Sequence, residues 1–362
     1  MQIQKLSVDE QFKATTREFN KTAFYYRMAA LGAGCGLCFH SGVIIINRNT
    51  NKNNGLANGL VLAGNSLGTI IVAQLMGQLF DLFHFEKAVL ILGICTFIQI
   101  PSSFLYFYPS KIAIKEDKKE KLGIQTPWWH KILNKNLMND PRYYLLCVSQ
   151  CLNAAAFTTA TSYLPRYLSK TEELRMDNVD VANVISAIQV SDLIARFIIP
   201  AASDQFPGYR WLFYSSGVIG AGGTIFGLVA TADPIWVYTT CIIFGIWSAA
   251  FIGSWNSLVK DTIGCEGFGT LYAHSLFYSG FAAMGGTPLI VKLGGAPGYG
   301  NNGRILQICG CLLMLAAVPV LFLKFSGLTR PRDKLEGSMK DICTKESVQE
   351  IDTAMEKEER NA

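Results

Sequence analysis

VANVISAIQVSDLIARFIIPAAS, running from Val181 to Ser203, decides the fold of this chain. It carries two charges, Asp192 and Arg196, and is otherwise apolar or small enough to cross a bilayer. About 20 such residues span a hydrocarbon core of about 30 Å. At 3.6 residues per turn, positions four apart share a helix face, so the carboxylate and the guanidinium can meet. A lone charge at the bilayer centre costs ~2.5–3.5 kcal/mol on insertion scales. Two charges of opposite sign at matched spacing therefore mark a candidate functional site. The competing reading is a structural ion pair that fixes this helix against a neighbour. A buried ion pair is weak evidence for stability, which favours the functional reading.

The rest of the chain has the same character. Of its 362 residues, 50% are hydrophobic and only 16% charged, against about 25% charged in soluble domains. Mean hydropathy is +0.26. The net charge of +5 sits in the connecting segments, a pattern of membrane topology rather than of nucleic-acid binding. Nine segments are long and apolar enough to span: 26–46, 57–80, 88–108, 143–165, 181–203, 211–230, 235–257, 268–291 and 304–325. Lipid offers no partner for free backbone groups, so each must be helical. The expected fold is all-α, a polytopic membrane helix bundle with about nine transmembrane helices. It divides into a polar segment (1–25), three helices (26–108), a central loop (109–142), six helices (143–325) and a charged, disordered tail (326–362).

Positive charge orients the bundle. The 109–142 loop holds Lys111, Lys115, Lys118, Lys119 and Lys121, which places it in the cytosol. The tail beginning at Arg330 falls on the same side, giving a cytosolic C-terminus, and the plasma membrane is the expected location. An odd number of spans puts the N-terminus outside, where Asn20-Lys21-Thr22 would be a glycosylation sequon. Lys5, Lys13 and Arg17 argue instead for the cytosol. Trp128-Trp129-His130 reads as an interfacial anchor. Residues 1–18 show no signal-peptide apolar core. Eight of the 10 cysteines fall in apolar segments and read as small buried hydrophobes. Cys35-Gly-Leu-Cys38 has redox spacing but no βαβ context.

Other motifs concern packing and polarity. The second span holds Gly55…Gly59 and Gly64…Gly68, spacings that let helix backbones approach closely. Gly59, Gly64 and Gly68 are thus candidate packing or gating positions. The turn Ser203-Asp-Gln-Phe-Pro-Gly-Tyr-Arg210 sets Asp204 and Arg210 where they can clamp two helix ends, or simply form a charged turn. Gln150, Asn153 and His274 are polar residues at membrane depth and candidate cavity liners, Asn153 for substrate binding. There is no Walker loop, metal-spaced His/Cys set or nucleophile elbow, so neither an enzyme nor a cofactor or metal is expected.

Taken together, Leu56-Ala-Asn-Gly-Leu-Val-Leu-Ala-Gly64-Asn-Ser-Leu-Gly68, the glycine-rich Gly32–Gly36 run, Asp192-Leu-Ile-Ala-Arg196 and the Asp204–Arg210 turn resemble the monocarboxylate transporter family of the major facilitator superfamily. The resemblance covers roughly 19–326. It implies a proton-coupled symporter of a small organic anion working by alternating access. Arg196 would hold the substrate carboxylate, and Asp192 would take and release the coupled proton. The substrate stands open between a lactate- or pyruvate-like acid, a larger monocarboxylate, and an aromatic or amphipathic solute. By this alignment the first span matches the family's fourth helix, so helices one to three are expected to be absent. The lysine that family members carry on helix one then has no counterpart. Asn53 and Asn54 stand where the family has paired arginines, and the family's Gly-Trp-Arg is replaced around Phe85-Glu86-Lys87. The alternative is a truncated, non-transporting membrane protein that associates with a full-length paralogue or another accessory membrane protein. The expected partners are otherwise the substrate anion, protons and the lipid bilayer, with no nucleic acid.

Overall fold

A computed structural model describes residues 54–82, 85–96, 135–171, 174, 176–230, 233–295 and 302–327, with scattered positions between 32 and 46. The polar start of the chain, the sequon, most of the central loop with its tryptophans, and the tail lie outside the described residues. Every regular element among the described residues is helical. We number the longer ones α1 (Asn54–Leu82), α2 (Phe85–Thr96), α3 (Pro141–Lys170), α4 (Asn178–Gln205), α5 (Arg210–Ala230), α6 (Pro234–Ile263), α7 (Cys265–Gly294) and α8 (Asn302–Phe325). A single turn, Lys135–Met138, precedes α3.

Helix boundaries follow local chemistry. Asp140, Asp177 and Asp233 are N-caps whose carboxylates accept from the backbone N–H of Arg142, Asp180 and Ile235. These bonds satisfy donors that the helix cannot pair itself. Pro141 and Pro234 open α3 and α6 where no N–H is needed. Gly264, at φ +96°, breaks α6 from α7 in a conformation that disfavours other residues.

Among the described residues, five helices are long and apolar enough to cross a membrane: 179–205 of α4, α5, α6, 268–294 of α7, and α8. α3 is as long as α6 but is interrupted by Ser149, Gln150, Asn153, Thr158 and Thr159. α1 contains a shorter apolar stretch, Leu56–Val72.

The six helices α3–α8 form two related units of three. α5 packs on α6 as α8 packs on α3, and α4 packs on α6 as α7 packs on α3. The units cross at α5 and α8 through Gly222 and Gly310. A Cβ on either would come within 2.6–3.0 Å of the other's carbonyl oxygen. The repeated pairing of helices is the pattern expected of transport folds built from internal repeats. Tyr143, Tyr214, Phe251, Leu146, Leu168 and Leu271 are fully buried between the helices. α4 has a second extensive partner, α1. α6 is enclosed on all sides from Gly253 to Lys260, where every residue is buried.

Candidate functional site

Asp192 and Arg196 sit on α4 at 2% and 3% exposure, so both charges are sealed from solvent and lipid. Arg196 Nε donates to Asp192 Oδ2 at 2.6 Å. The i, i+4 spacing places them on one face; the neighbouring helices supply everything else. From α1, the Ser66 hydroxyl donates to Asp192 Oδ2, and the Leu62 carbonyl accepts from Arg196 Nη1 at 2.7 Å. From α6, the Ser248 hydroxyl lies 2.9 Å from Asp192 Oδ1 and 2.8 Å from the Gly245 carbonyl, so its one proton is shared. Asp192 therefore accepts from three donors. Arg196 commits two of its five N–H groups among the described residues.

Close backbone approach makes this geometry possible. A Cβ on Gly59 would run into the Arg196 carbonyl oxygen, and one on Gly245 would run into Ser191 and the Ile188 carbonyl. Glycine at these two positions brings α1 and α6 against α4 at the level of the ion pair. Gly64 and Gly68 have the same spacing, yet no described atom lies within 4 Å of a Cβ placed on either.

A second charged cluster closes one end of the bundle. Arg210, at the start of α5, reaches Asp204 near the end of α4 at 3.0 Å. It also reaches Asp261 near the end of α6 at 2.7 Å. The other oxygen of Asp204 accepts from the Leu56 backbone N–H at 3.0 Å. Asp204 thus caps α1 from another helix and places negative charge at its positive end. Arg210 Nε is buried without a partner among the described residues. Between this cluster and the ion pair, Asn256 of α6 donates to Asn58 of α1 at 3.1 Å, both residues buried.

The remaining polar candidates separate from the ion pair. Asn153 is 5% exposed and its Oδ1 has no partner among the described residues, as does Gln150 Oε1. Both lie on α3, which touches α4 only lightly, and no hydrogen bond joins either to Asp192 or Arg196. His274 is tied to Tyr143, with Nδ1 2.9 Å from the phenol oxygen. All eight described cysteines are free thiols; Cys147, Cys241 and Cys309 are buried, whereas Cys35, Cys38, Cys95 and Cys311 are exposed. An apolar cavity of about 20 Å³, lined by Leu164, Ile225, Thr240, Phe244 and Leu306 among others, lies apart from the ion pair. It has room for about one water and none for an organic anion.

A helical bundle of paired three-helix units, carrying a sealed ion pair where a further helix docks, has the architecture of a membrane transport protein. The chain matches the family model of the Major Facilitator Superfamily over residues 22–287 and belongs to that superfamily. With its membrane-length helices it is an integral membrane protein. It is similar to Monocarboxylate transporter 10 of Danio rerio, 21% identical over 236 residues, covering 64% of this chain and 45% of that protein. It is also similar to the MFS-type transporter pynF of Aspergillus niger, 23% identical over 317 residues, covering 85% of this chain and 68% of that one. A shorter stretch of 63 residues is 38% identical to Monocarboxylate transporter 9 of Gallus gallus, covering 17% of this chain and 12% of that protein. The chain spans about half the length of the Monocarboxylate transporter 10 relatives it matches.

Sequence reasoning missed Ser66, Ser248, Asn58, Asn256 and Asp261. Serine and asparagine are ordinary interhelical residues in membrane helices. The only available signal was position, with Ser66 two residues beyond Gly64 in the motif-bearing helix.

Proposed function

We propose that this chain is a proton-coupled carrier of a monocarboxylate or related organic anion, working by alternating access in the plasma membrane with its C-terminus in the cytosol. The observation that carries this reading is the sealed Asp192–Arg196 pair on the seam between α1 and α4. Transport is the reading the relatives' names support.

The chemistry follows from charge balance. In the empty carrier, Asp192 neutralises Arg196. A proton on Asp192 would free the guanidinium, whose planar fork then takes the substrate carboxylate by charge-assisted bonds. Proton and anion enter together, so the site is electrically neutral both empty and loaded. That matters because an unbalanced charge crossing the bilayer centre is costly. Asn153, the third candidate substrate contact, lies on α3 away from the ion pair, and its Oδ1 has no partner among the described residues. Asp204, held by Arg210, accepts from the Leu56 N–H and so pins the far end of the seam between α1 and α4.

The test is uptake into proteoliposomes holding this chain alone. A panel of labelled monocarboxylates, from lactate to an aromatic acid, is offered with and without an inward proton gradient. Gradient-driven uptake of at least one acid is expected. Arg196→Lys should lose most of it, because a point-charge ammonium does not reproduce the fork. Asp192→Asn should abolish the response to the gradient. Absence of uptake for every acid, with co-purification of a full-length relative from cells, would support the accessory-protein reading instead.

A further inference from the structure

We propose that Ser66 is a positioning residue that couples the protonation of Asp192 to the closure of the seam between α1 and α4. This rests on the carrier reading above. Ser66 is wholly buried, and its hydroxyl makes one hydrogen bond, to Asp192 Oδ2, across 126 positions of sequence. One turn earlier on the same helix, the Leu62 carbonyl accepts from Arg196. In an α-helix the carbonyl of residue 62 is the ladder partner of the N–H of residue 66. A single turn of α1 therefore grips both members of the ion pair, the acid through a side chain and the arginine through the backbone.

The two hydroxyls on Asp192 are not equivalent. Ser248 divides its proton between Asp192 and its own helix, whereas Ser66 commits its proton to Asp192 alone. Ser66 is also the one that crosses between α1 and the six-helix body. The groups facing Asp192 are Arg196 on its own helix, Ser66 of α1 and Ser248 of α6. No further hydrogen bond or ion pair to Asp192 is made by a described residue.

The coupling follows from hydrogen-bond strength. A hydroxyl donating to an ionised carboxylate makes a charge-assisted bond, roughly twice as strong as one between neutral groups. While Asp192 is ionised, Ser66 and Leu62 hold α1 against α4. When Asp192 takes a proton, the Ser66 bond weakens and Arg196 turns from Asp192 to the incoming anion. Both grips of the Leu62–Ser66 turn loosen in one step, so protonation of Asp192 eases the opening of the seam.

The experiment measures uptake of a labelled monocarboxylate against external pH in proteoliposomes of the full chain, comparing wild type, Ser66→Ala and Ser66→Thr. Removing a donor to the ionised carboxyl favours its protonated form. The midpoint of the Ser66→Ala uptake profile should therefore move to higher pH. Ser66→Thr keeps the hydroxyl and should keep the wild-type midpoint. A residue that only packs would lower uptake equally at every pH. Such a uniform loss in Ser66→Ala overturns the coupling while leaving the carrier reading intact. A wild-type protein without pH-dependent uptake overturns both. Should the alanine variant fail to fold, Ser66→Cys supplies the same comparison, since a thiol is a weak donor of similar shape.

Discussion

Removing one member of the ion pair at a time separates its electrostatics from its packing. Asp192→Leu leaves Arg196 buried with the Leu62 carbonyl as its one partner among the described residues. A guanidinium cannot shed its proton, so the uncompensated charge stays in the bundle. The cost lies at the upper end of the ~3–5 kcal/mol for breaking a buried pair. Arg196→Met leaves Asp192 with two hydroxyl donors, Ser66 and Ser248. A stranded carboxyl can also be neutralised by a proton, so this variant falls at the lower end. The double variant strands no charge and should lie near wild type. With the double variant near zero, the coupling energy from the cycle is the sum of the two single losses, about 8 kcal/mol. Neutral interhelical hydrogen bonds in membrane bundles average about 0.6 kcal/mol, so the two cases are well separated. Denaturation titrations of the four proteins in mixed lipid–detergent micelles measure the cycle. A coupling near 0.6 kcal/mol would refute a sealed, charged pair. Greater damage from Arg196→Met than from Asp192→Leu would refute the partner assignment.

Two further perturbations probe the seam. Gly59→Ala drives a Cβ into the backbone oxygen of Arg196 and should destabilise by ~1–3 kcal/mol. Gly64→Ala meets no described atom and should be neutral or stabilising by up to ~1 kcal/mol through helix propensity; equal melting temperatures for the two variants would contradict this contrast. Asp204→Asn keeps an acceptor for the Leu56 N–H, whereas Asp204→Ala removes it. The alanine variant should unfold more easily than the asparagine variant by ~1 kcal/mol, the worth of a helix cap, as read from the same titrations.

Much of this protein is determined by the sequence alone, because the bilayer leaves a chain few options. Apolar length requires helices where backbone groups have no other partner, and α4, α5, α6, α7 and α8 cover the spans expected at 181–203, 211–230, 235–257, 268–291 and 304–325. Spacing requires Asp192 and Arg196 to share a face, since i and i+4 are neighbours on any α-helix. Azimuth and partner are different matters. Gly59, Gly64 and Gly68 are equivalent as letters, but only Gly59 among them meets another helix among the described residues. Ser66 and Ser248 are small residues of a kind common in membrane helices, and their meeting at one carboxylate joins positions 126 and 56 apart from it. Asp261 reads as the end of α6 until the fold brings it to Arg210. A hydrophobic run specifies that a helix forms and roughly where it ends. Which side chains face one another depends on how that helix rotates and crosses its neighbours, and backbone contacts such as Gly59 on Arg196 or Gly222 on Gly310 set that rotation only once the bundle is assembled.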